Sequence, residues 1–189
     1  LGQVDAAMVD PSQARDAANR FGQQPSARSI SRFYAMNLGS EDLWDPRVRQ
    51  AVMLSIDRPA ILEKLAIAAF TADGVAAPSV AGFRYGACSS ACVFNPGEAR
   101  DLLRSADSYP TLTVVFVDDS QRGVATEIAK GLENVGLGAE VVQISAAELP
   151  GMIADGRAEV FAFGWAAPAD SLDAVVAPMF ASYSSLNVS

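Results

Sequence analysis

The chain has 189 residues, a length that suits one domain with a single hydrophobic core. Its net charge of −8 repels phosphate backbones and anionic membrane surfaces, so we expect no nucleic-acid partner. The sequence contains no histidine, which removes the commonest general base and metal ligand and excludes most familiar hydrolase sites. No apolar run reaches the ~20 residues that a membrane-spanning helix needs.

The amino-terminal part predicts strand, helix and strand in turn. Alternating apolar residues indicate a short strand over 1–9. Asp10-Pro11 could then open a short helix that ends at Phe21-Gly22. A second strand is predicted over 29–37, where apolar residues again alternate between two faces.

The strongest helix signal in the chain lies over 45–58. Asp45 can cap a helix that begins at Pro46, and apolar residues then recur at helical spacing. Asp57 can cap a second helix, which the apolar pattern extends to about Phe70. The sequence therefore predicts two consecutive helices that meet at a sharp corner.

The segment 71–94 shows no sustained period and is predicted to be a long loop, a class of segment that often carries function. It holds both cysteines of the chain, Cys88 and Cys92. Their close spacing among glycines and serines favours a local disulfide formed in an oxidising compartment. Two free thiols are an alternative. A metal site is another, although zinc usually takes four ligands and no histidine is available.

The second half of the chain alternates helices and strands. Helices are predicted to begin at Asn95-Pro96, after Asp118-Asp119-Ser120, after Ser145–Glu148 and at Ser171, with strands over Thr111–Val117, Ala139–Ile144 and Val160–Gly164. Two successive crossovers imply at least three parallel strands with helices packed on them. The predicted fold class is α/β, with a mainly parallel sheet flanked by helices and with strands 1–9 and 29–37 extending or edging it.

Three places could hold chemistry, because ligands in an open α/β sheet gather beyond the carboxyl ends of strands. They are Asn37 with the loop to Trp44, Asp118-Asp119-Ser120, and the segment 163–170. Asp118 and Asp119 could hold Mg²⁺ or act as acid and base, but a helix cap made by Asp119 or Ser120 is the simpler interpretation. In the third place a tryptophan follows a glycine, and it could serve as a flat ligand platform or lie in the core.

Several motifs resemble one protein family. Asn37, the run Asp45-Pro-Arg-Val-Arg-Gln-Ala51 and the run Ser55-Ile-Asp-Arg58 resemble the signature of the extracytoplasmic solute-binding proteins of ABC importers for peptides, nickel and oligosaccharides, family 5. The segment 95–103 and Gly164-Trp165 are similar to further patterns of that family. The resemblance implies that residues 1–189 form the C-terminal lobe of a larger, two-lobed protein of the type II periplasmic-binding-protein fold. Residues 1–28 would lie near its hinge.

The resemblance also implies a ligand site in the cleft between the lobes. Its predicted residues are Asn37, Trp165, Ala166, Ala167, Pro168 and Asp170, and the loop around Pro78 would run close by. Peptide binders of the family place an aspartate three residues after the tryptophan to bind the peptide's α-ammonium, whereas Pro168 stands there in this chain. Asp170 is instead predicted to cap the last helix. This departure leaves the ligand class open.

The function that the resemblance implies is capture of a peptide-like or other small solute and its delivery to an ABC permease in the membrane, with no reaction catalysed and no cofactor or metal. The protein would act outside the cytoplasm, attached through a lipid on a segment that precedes Leu1. An alternative, which Pro168 favours, is an extracytoplasmic lipoprotein of the same fold that regulates or scaffolds another pathway. A third hypothesis is an enzyme that uses Asp118 and Asp119 with a metal.

Overall fold

The computed structural model describes residues 14–21, 30–67, 69–72, 74–166, 171–184 and 187. Its helices are α1 (Ala14–Phe21), α2 (Pro46–Leu54), α3 (Arg58–Lys64), α4 (Pro96–Ala106), α5 (Arg122–Val135), α6 (Leu149–Ala154) and α7 (Asp173–Phe180). Its strands are β1 (Ile30–Met36), β2 (Thr111–Phe116), β3 (Gly138–Gln143) and β4 (Val160–Ala166). In the part of the chain described, no helix is both long enough and apolar enough to cross a membrane.

The described strands form one mixed sheet in the order β1-β4-β2-β3. Strand β2 pairs in parallel with both β3 and β4, whereas β1 pairs antiparallel with β4. The predicted α/β class and its three parallel strands are therefore confirmed, and so is an edge strand within 29–37. The strand predicted over 1–9 lies outside the described residues.

Helices and loops cover both faces of the sheet. Val160 and Ala162 of β4 pack in the main core with α2, α4 and α5. Phe161 lies between them in sequence and points to the opposite face, where it packs with Val115 and with residues of α6. Because β4 is buried on both faces along Val160–Ala162, it reads as an apolar run rather than an alternating one.

Three predicted helix caps are present. The side-chain oxygens of Asp45, Asp57 and Asn95 accept hydrogen bonds from backbone N–H groups in the first turns of α2, α3 and α4, at 2.8, 3.1 and 3.2 Å. The predicted end of α3 was wrong, since the helix stops at Lys64 rather than near Phe70. Ala66 adopts a left-handed backbone with φ 51°, and this conformation cannot continue a right-handed helix.

The segment 71–94 packs as a loop against α7. Ala76, Ala77 and Val80 are buried in one small apolar cluster with Val175 and Met179. A disulfide joins Cys88 to Cys92, as their spacing predicts. For such a short loop the chain-entropy model gives a stabilisation of about 2 kcal/mol, so the disulfide fixes the loop locally rather than making the fold possible.

Gly131 allows α5 to lie against the end of α2. A Cβ atom on Gly131 would lie 2.6 Å from the Ser55 carbonyl oxygen, and a backbone atom can move away only if a helix shifts. Overpacking of this kind costs about 1–3 kcal/mol, and alanine's better helix propensity offsets only about 1 kcal/mol of it. We therefore expect Gly131→Ala to lower the free energy of unfolding by up to about 2 kcal/mol net.

Gly151→Ala is the matched control for this substitution. Gly151 lies in α6, and a Cβ there meets nothing within 4 Å, so helix propensity alone acts and the change should be neutral or stabilising. Thermal unfolding of the two variants compares them directly. Equal melting temperatures would show that α5 can move away from Ser55 without cost.

Candidate functional site

A solvent-open cavity of about 360 Å³ lies at the carboxyl-terminal edge of β2 and β4. Its lining combines the turn after β2, the middle of β4 and one residue of β1: Asp118, Ser120, Gln121, Ala162, Phe163, Gly164 and Arg32. This is the edge at which an open α/β sheet collects its ligands. The sequence predicted two of these three parts as candidate places, but it did not predict Arg32.

Arg32 reaches the cavity because β1 runs antiparallel to β4. In this pairing Arg32 lies opposite Gly164, so the start of β1 and the end of β4 share one edge. Gly164 has no side chain to fill the space beside it, and a Cβ there would lie 3.7 Å from Arg32 Cγ. Arg32 is exposed, and within the described part of the chain no hydrogen bond or ion pair engages its guanidinium.

Asp118 is held in place by a reciprocal cap. Its carboxylate accepts a hydrogen bond from the Ser120 backbone N–H at 2.8 Å, and the Gln121 side-chain oxygen accepts one from the Asp118 N–H at 3.0 Å. The expected cap at Asp119 or Ser120 was therefore wrong, because Asp118 is the residue with the extended backbone that precedes the turn. Asp119 instead forms an ion pair with Arg122 at 2.9 Å.

The cavity presents both signs of charge. Hydrogen bonding from Ser120 is the main cause that lowers the pKa of Asp118 below its usual value, and the positive charge of Arg32 lowers it further. Asp118 is thus ionised at neutral pH. No ion pair closer than 4.0 Å joins it to Arg32 in the described structure, so a guanidinium and a carboxylate line the same space without neutralising each other by contact.

The described residues offer no ready metal site. They contain no group of three or more cysteine, aspartate and glutamate side chains that could hold a metal ion. Asp118 is used as a cap and Asp119 as the partner of Arg122. The third hypothesis, a metal enzyme built on these two residues, stays a prediction.

Trp165 lies on the other face of the sheet from Gly164, as strand alternation requires. Its indole N–H donates to the Ala174 carbonyl oxygen at 2.9 Å, and its ring packs against the cluster that joins the loop to α7. The ring is half-buried and does not line the cavity beside Arg32. Its predicted role as a ligand platform stays a prediction, and the observed contacts also account for it as a packing residue.

Of the four predicted site residues that follow Trp165, the structure describes Ala166. Ala166 is exposed at the end of β4, opposite Ile30. Ala167, Pro168 and Asp170 fall outside the described residues, and so does the interpretation of Asp170 as a cap. In α7 the Ala174 backbone N–H donates to the Ser171 hydroxyl at 3.2 Å.

Asn37 lies at the opposite edge of the sheet. It follows β1, and the antiparallel pairing places that end of β1 beside the start of β4. Its side-chain amide donates to the Ile153 carbonyl oxygen at 2.8 Å and accepts from the Gly39 N–H at 2.9 Å. Asn37 is buried, and these contacts already use both ends of its amide. Its ligand-binding role is untested, and it does not share the cavity of Arg32.

Comparison with known proteins places the sequence in a family. A family model described as bacterial extracellular solute-binding proteins, family 5 Middle, matches residues 2–187. The glutathione-binding protein GsiB of Escherichia coli (strain K12) is 30% identical over 166 residues, which cover 81% of this chain and 31% of that protein. GsiB of Shigella flexneri serotype 5b (strain 8401) is also 30% identical over 166 residues, covering 81% and 32%. The chain spans about a third of the length of these relatives.

Solved structures share the fold at lower identity. The Escherichia coli murein tripeptide binding protein MppA matches with a TM-score of 0.78 and 18% identity, over 94% of this chain and 37% of that one. OppA of Burkholderia pseudomallei matches with a TM-score of 0.78 and 21% identity, over 93% and 37%. The fold is thus that of periplasmic-binding-protein-like structures, and the family resemblance of the sequence motifs is confirmed. The chain belongs to the bacterial extracellular solute-binding proteins, family 5.

Proposed function

We propose that the protein is the substrate-binding component of an ABC importer, which captures a peptide-like or other small solute and delivers it to a membrane permease. The observation that carries this proposal is the cavity at the carboxyl-terminal edge of the sheet, lined by an ionised carboxylate and by a guanidinium that forms no ion pair among the described residues. The names of similar proteins support the ligand class. GsiB is named for glutathione binding, and the structure of DppA from Helicobacter pylori, 16% identical with a TM-score of 0.74, holds the peptide STSA.

In this proposal the chain supplies one lobe and one wall of the ligand cleft, and the remaining wall comes from another lobe of the same protein. Residues 1–28 would lie near the hinge and the loop 71–94 beside the cleft. Closure of the two lobes would bury the solute between them. The protein would work outside the cytoplasm, where the disulfide of Cys88 and Cys92 is stable, and a lipid would hold it at the membrane.

Two groups of residues would contact the solute. Arg32, Asp118 and Gly164 line the cavity on one face of the sheet. The segment from Trp165 to Pro168, with Asp170, would contribute from the end of β4. Asn37 has the weakest support, because it lies at the far edge and its amide nitrogen and oxygen each already have a partner.

Native mass spectrometry of the gently purified intact protein tests this function. We expect a co-purified small solute that is released on denaturation and that rebinds when added back. Retention of nothing from peptide, sugar and metal-ion libraries would contradict a transport role. If a protein partner were then captured reproducibly, the result would support the regulatory or scaffolding alternative, which the proline at position 168 favours.

A further inference from the structure

We infer that the disulfide of Cys88 and Cys92 undergoes reversible exchange with small thiols, in which Cys88 takes up the thiol and Cys92 is released as a thiolate. The disulfide lies in the loop 71–94, and neither cysteine lines the cavity of Arg32. The inference does not rest on the proposed transport function. It assigns a covalent reaction to a pair of residues that otherwise only fixes the loop.

The position of the disulfide makes it reachable from solvent. Both cysteines are half-buried, and Ser89 and Ser90 between them are exposed. On the amino-terminal side of Cys88, a Cβ atom on Gly86 would meet no described atom within 4 Å, so the space there is open. A small thiol can therefore reach the disulfide without unfolding of the lobe. Exposed disulfides are the ones that exchange readily.

The two cysteines differ in their surroundings. Arg58, at the start of α3, donates from Nη1 to the Cys92 carbonyl oxygen at 2.9 Å. Among the described residues no carboxylate pairs with its guanidinium, so no ion pair neutralises its charge. A neighbouring cation stabilises a thiolate, and the more stable thiolate is the better leaving group. Arg58 therefore favours release of Cys92 and attack on Cys88.

The backbone of the closed ring also favours opening. Ser89 adopts a left-handed conformation with φ 51°, which is unfavourable for a residue with a Cβ atom. This residue lies inside the ring, which has only three residues between the cysteines. Opening of the ring lets Ser89 relax to an ordinary conformation, and this relaxation offsets part of the cost of reduction. Because the ring is short, its loss removes little chain-entropy stabilisation and leaves the fold intact.

The exchange balances in atoms and electrons. The thiolate of the small thiol attacks Sγ of Cys88, a new S–S bond forms between them, and the bond to Cys92 breaks. The electron pair of the broken bond stays on Sγ of Cys92, which becomes a thiolate beside Arg58. A second small thiol can then attack the sulfur of the adduct, so that two thiols are oxidised to one small disulfide and both cysteines are reduced. Attack by Cys92 on Cys88 reverses the first step.

The loop is anchored on both sides of the disulfide, so opening should remain local. The Asn95 N–H donates to the Leu54 carbonyl oxygen at 2.9 Å, and Ala77 and Val80 are buried against α7. Neither anchor uses a cysteine. On reduction we expect hydrogen exchange to rise at the amides of 86–93 and to stay unchanged in α4 and α7. A rise across both helices would contradict a local reaction.

Trapping of the mixed disulfide on the intact, folded protein tests the inference. The protein is incubated in a buffer of mercaptoethanol and its disulfide, treated with iodoacetamide and mapped by mass spectrometry of its peptides. We expect a mercaptoethanol adduct on Cys88 and alkylation of Cys92. Adducts shared equally by the two cysteines would overturn the assigned direction. Reaction only after a denaturant has been added would overturn the exchange itself.

Substitution of Arg58 tests the origin of the direction. Arg58→Gln should slow the exchange roughly threefold and spread the adduct over both cysteines, whereas Arg58→Lys, which keeps the charge, should retain the preference for Cys88. The lysine variant decides the outcome if the glutamine variant proves unstable. Loss of the preference in both variants to the same extent would contradict a role for the charge.

Arg100→Gln is the matched control, because Arg100 also donates to a backbone carbonyl oxygen, that of Asn134 at 3.0 Å. The substitution removes the same charge from α4 and should leave both the rate and the preference for Cys88 unchanged. An effect as large as that of Arg58→Gln would show that net charge governs the exchange, and it would overturn the assignment to Arg58.

Discussion

Replacing Phe161 by alanine is expected to lower the free energy of unfolding by about 3–5 kcal/mol. Phe161 lies in β4, between β1 and β2, and only 1% of its surface is exposed. Its ring packs with Val115, Ala158 and residues of α6, so its removal leaves a cavity that the two neighbouring strands prevent from closing. This is the largest effect on stability that we expect from one side chain.

Phe70→Ala is the matched control, because the same atoms are removed from a side chain that is 91% exposed. Its effect should stay within about 0.5 kcal/mol. Thermal unfolding of the intact protein compares the two variants, and hydrogen exchange at the amides of β2 and β4 locates the loss. Similar melting temperatures for the two variants would mean that β4 is not the packed centre of this sheet.

Local chemistry made much of the fold predictable. Caps at Asp45, Asp57 and Asn95 each combine an acceptor side chain with a following proline, and a motif of this kind marks a helix start without knowledge of the rest of the chain. The strands β2, β3 and β4 were equally predictable, because β-branched and apolar runs between capped helices predict a parallel sheet. Features that depend only on residues close together in the chain, such as these caps and strands, can be predicted from the sequence.

The candidate site depended on information that is not local. Whether β1 runs parallel or antiparallel to β4 decides which end of β1 reaches the cavity. The residues of β1 do not predict the direction in which it pairs. The search for polar residues after each predicted strand pointed to Asn37, whereas the antiparallel pairing places Arg32 at the cavity. The signal available in the sequence was a single arginine within an otherwise largely apolar strand, a residue type that needs solvent or a partner.

The same limit applies to Trp165 and to the cap after β2. A tryptophan at a strand end is compatible with a ligand platform and with packing, and only the position of α7 shows that its indole bonds to Ala174. Three consecutive polar residues after β2 could each cap a helix. The backbone angle at Asp118, which the end of β2 sets, decides among them.

Replacing Asn37 by alanine is expected to lower the free energy of unfolding by about 2–4 kcal/mol, because two backbone groups lose their partners. The Ile153 carbonyl oxygen would lose its donor and the Gly39 N–H its acceptor. Asn37 is only 2% exposed, so water cannot readily replace these bonds. Its amide joins the end of β1 to α6, and its backbone N–H also bonds to the Glu159 carbonyl oxygen at 2.8 Å.

This variant separates a structural role of Asn37 from the ligand-binding role that the family resemblance implies. If the role of Asn37 is structural, Asn37→Ala should lower the melting temperature and leave the solute affinity of the folded protein unchanged. If Asn37 binds the ligand, the substitution should lower the solute affinity and leave the melting temperature unchanged. Asn134→Ala is the control, since Asn134 is exposed and its observed contact is a backbone carbonyl that accepts from Arg100. Because the amide nitrogen and the amide oxygen of Asn37 each already have a partner within the lobe, we expect the substitution to reduce stability. An unchanged melting temperature with a loss of solute affinity would instead support a ligand-binding role for Asn37.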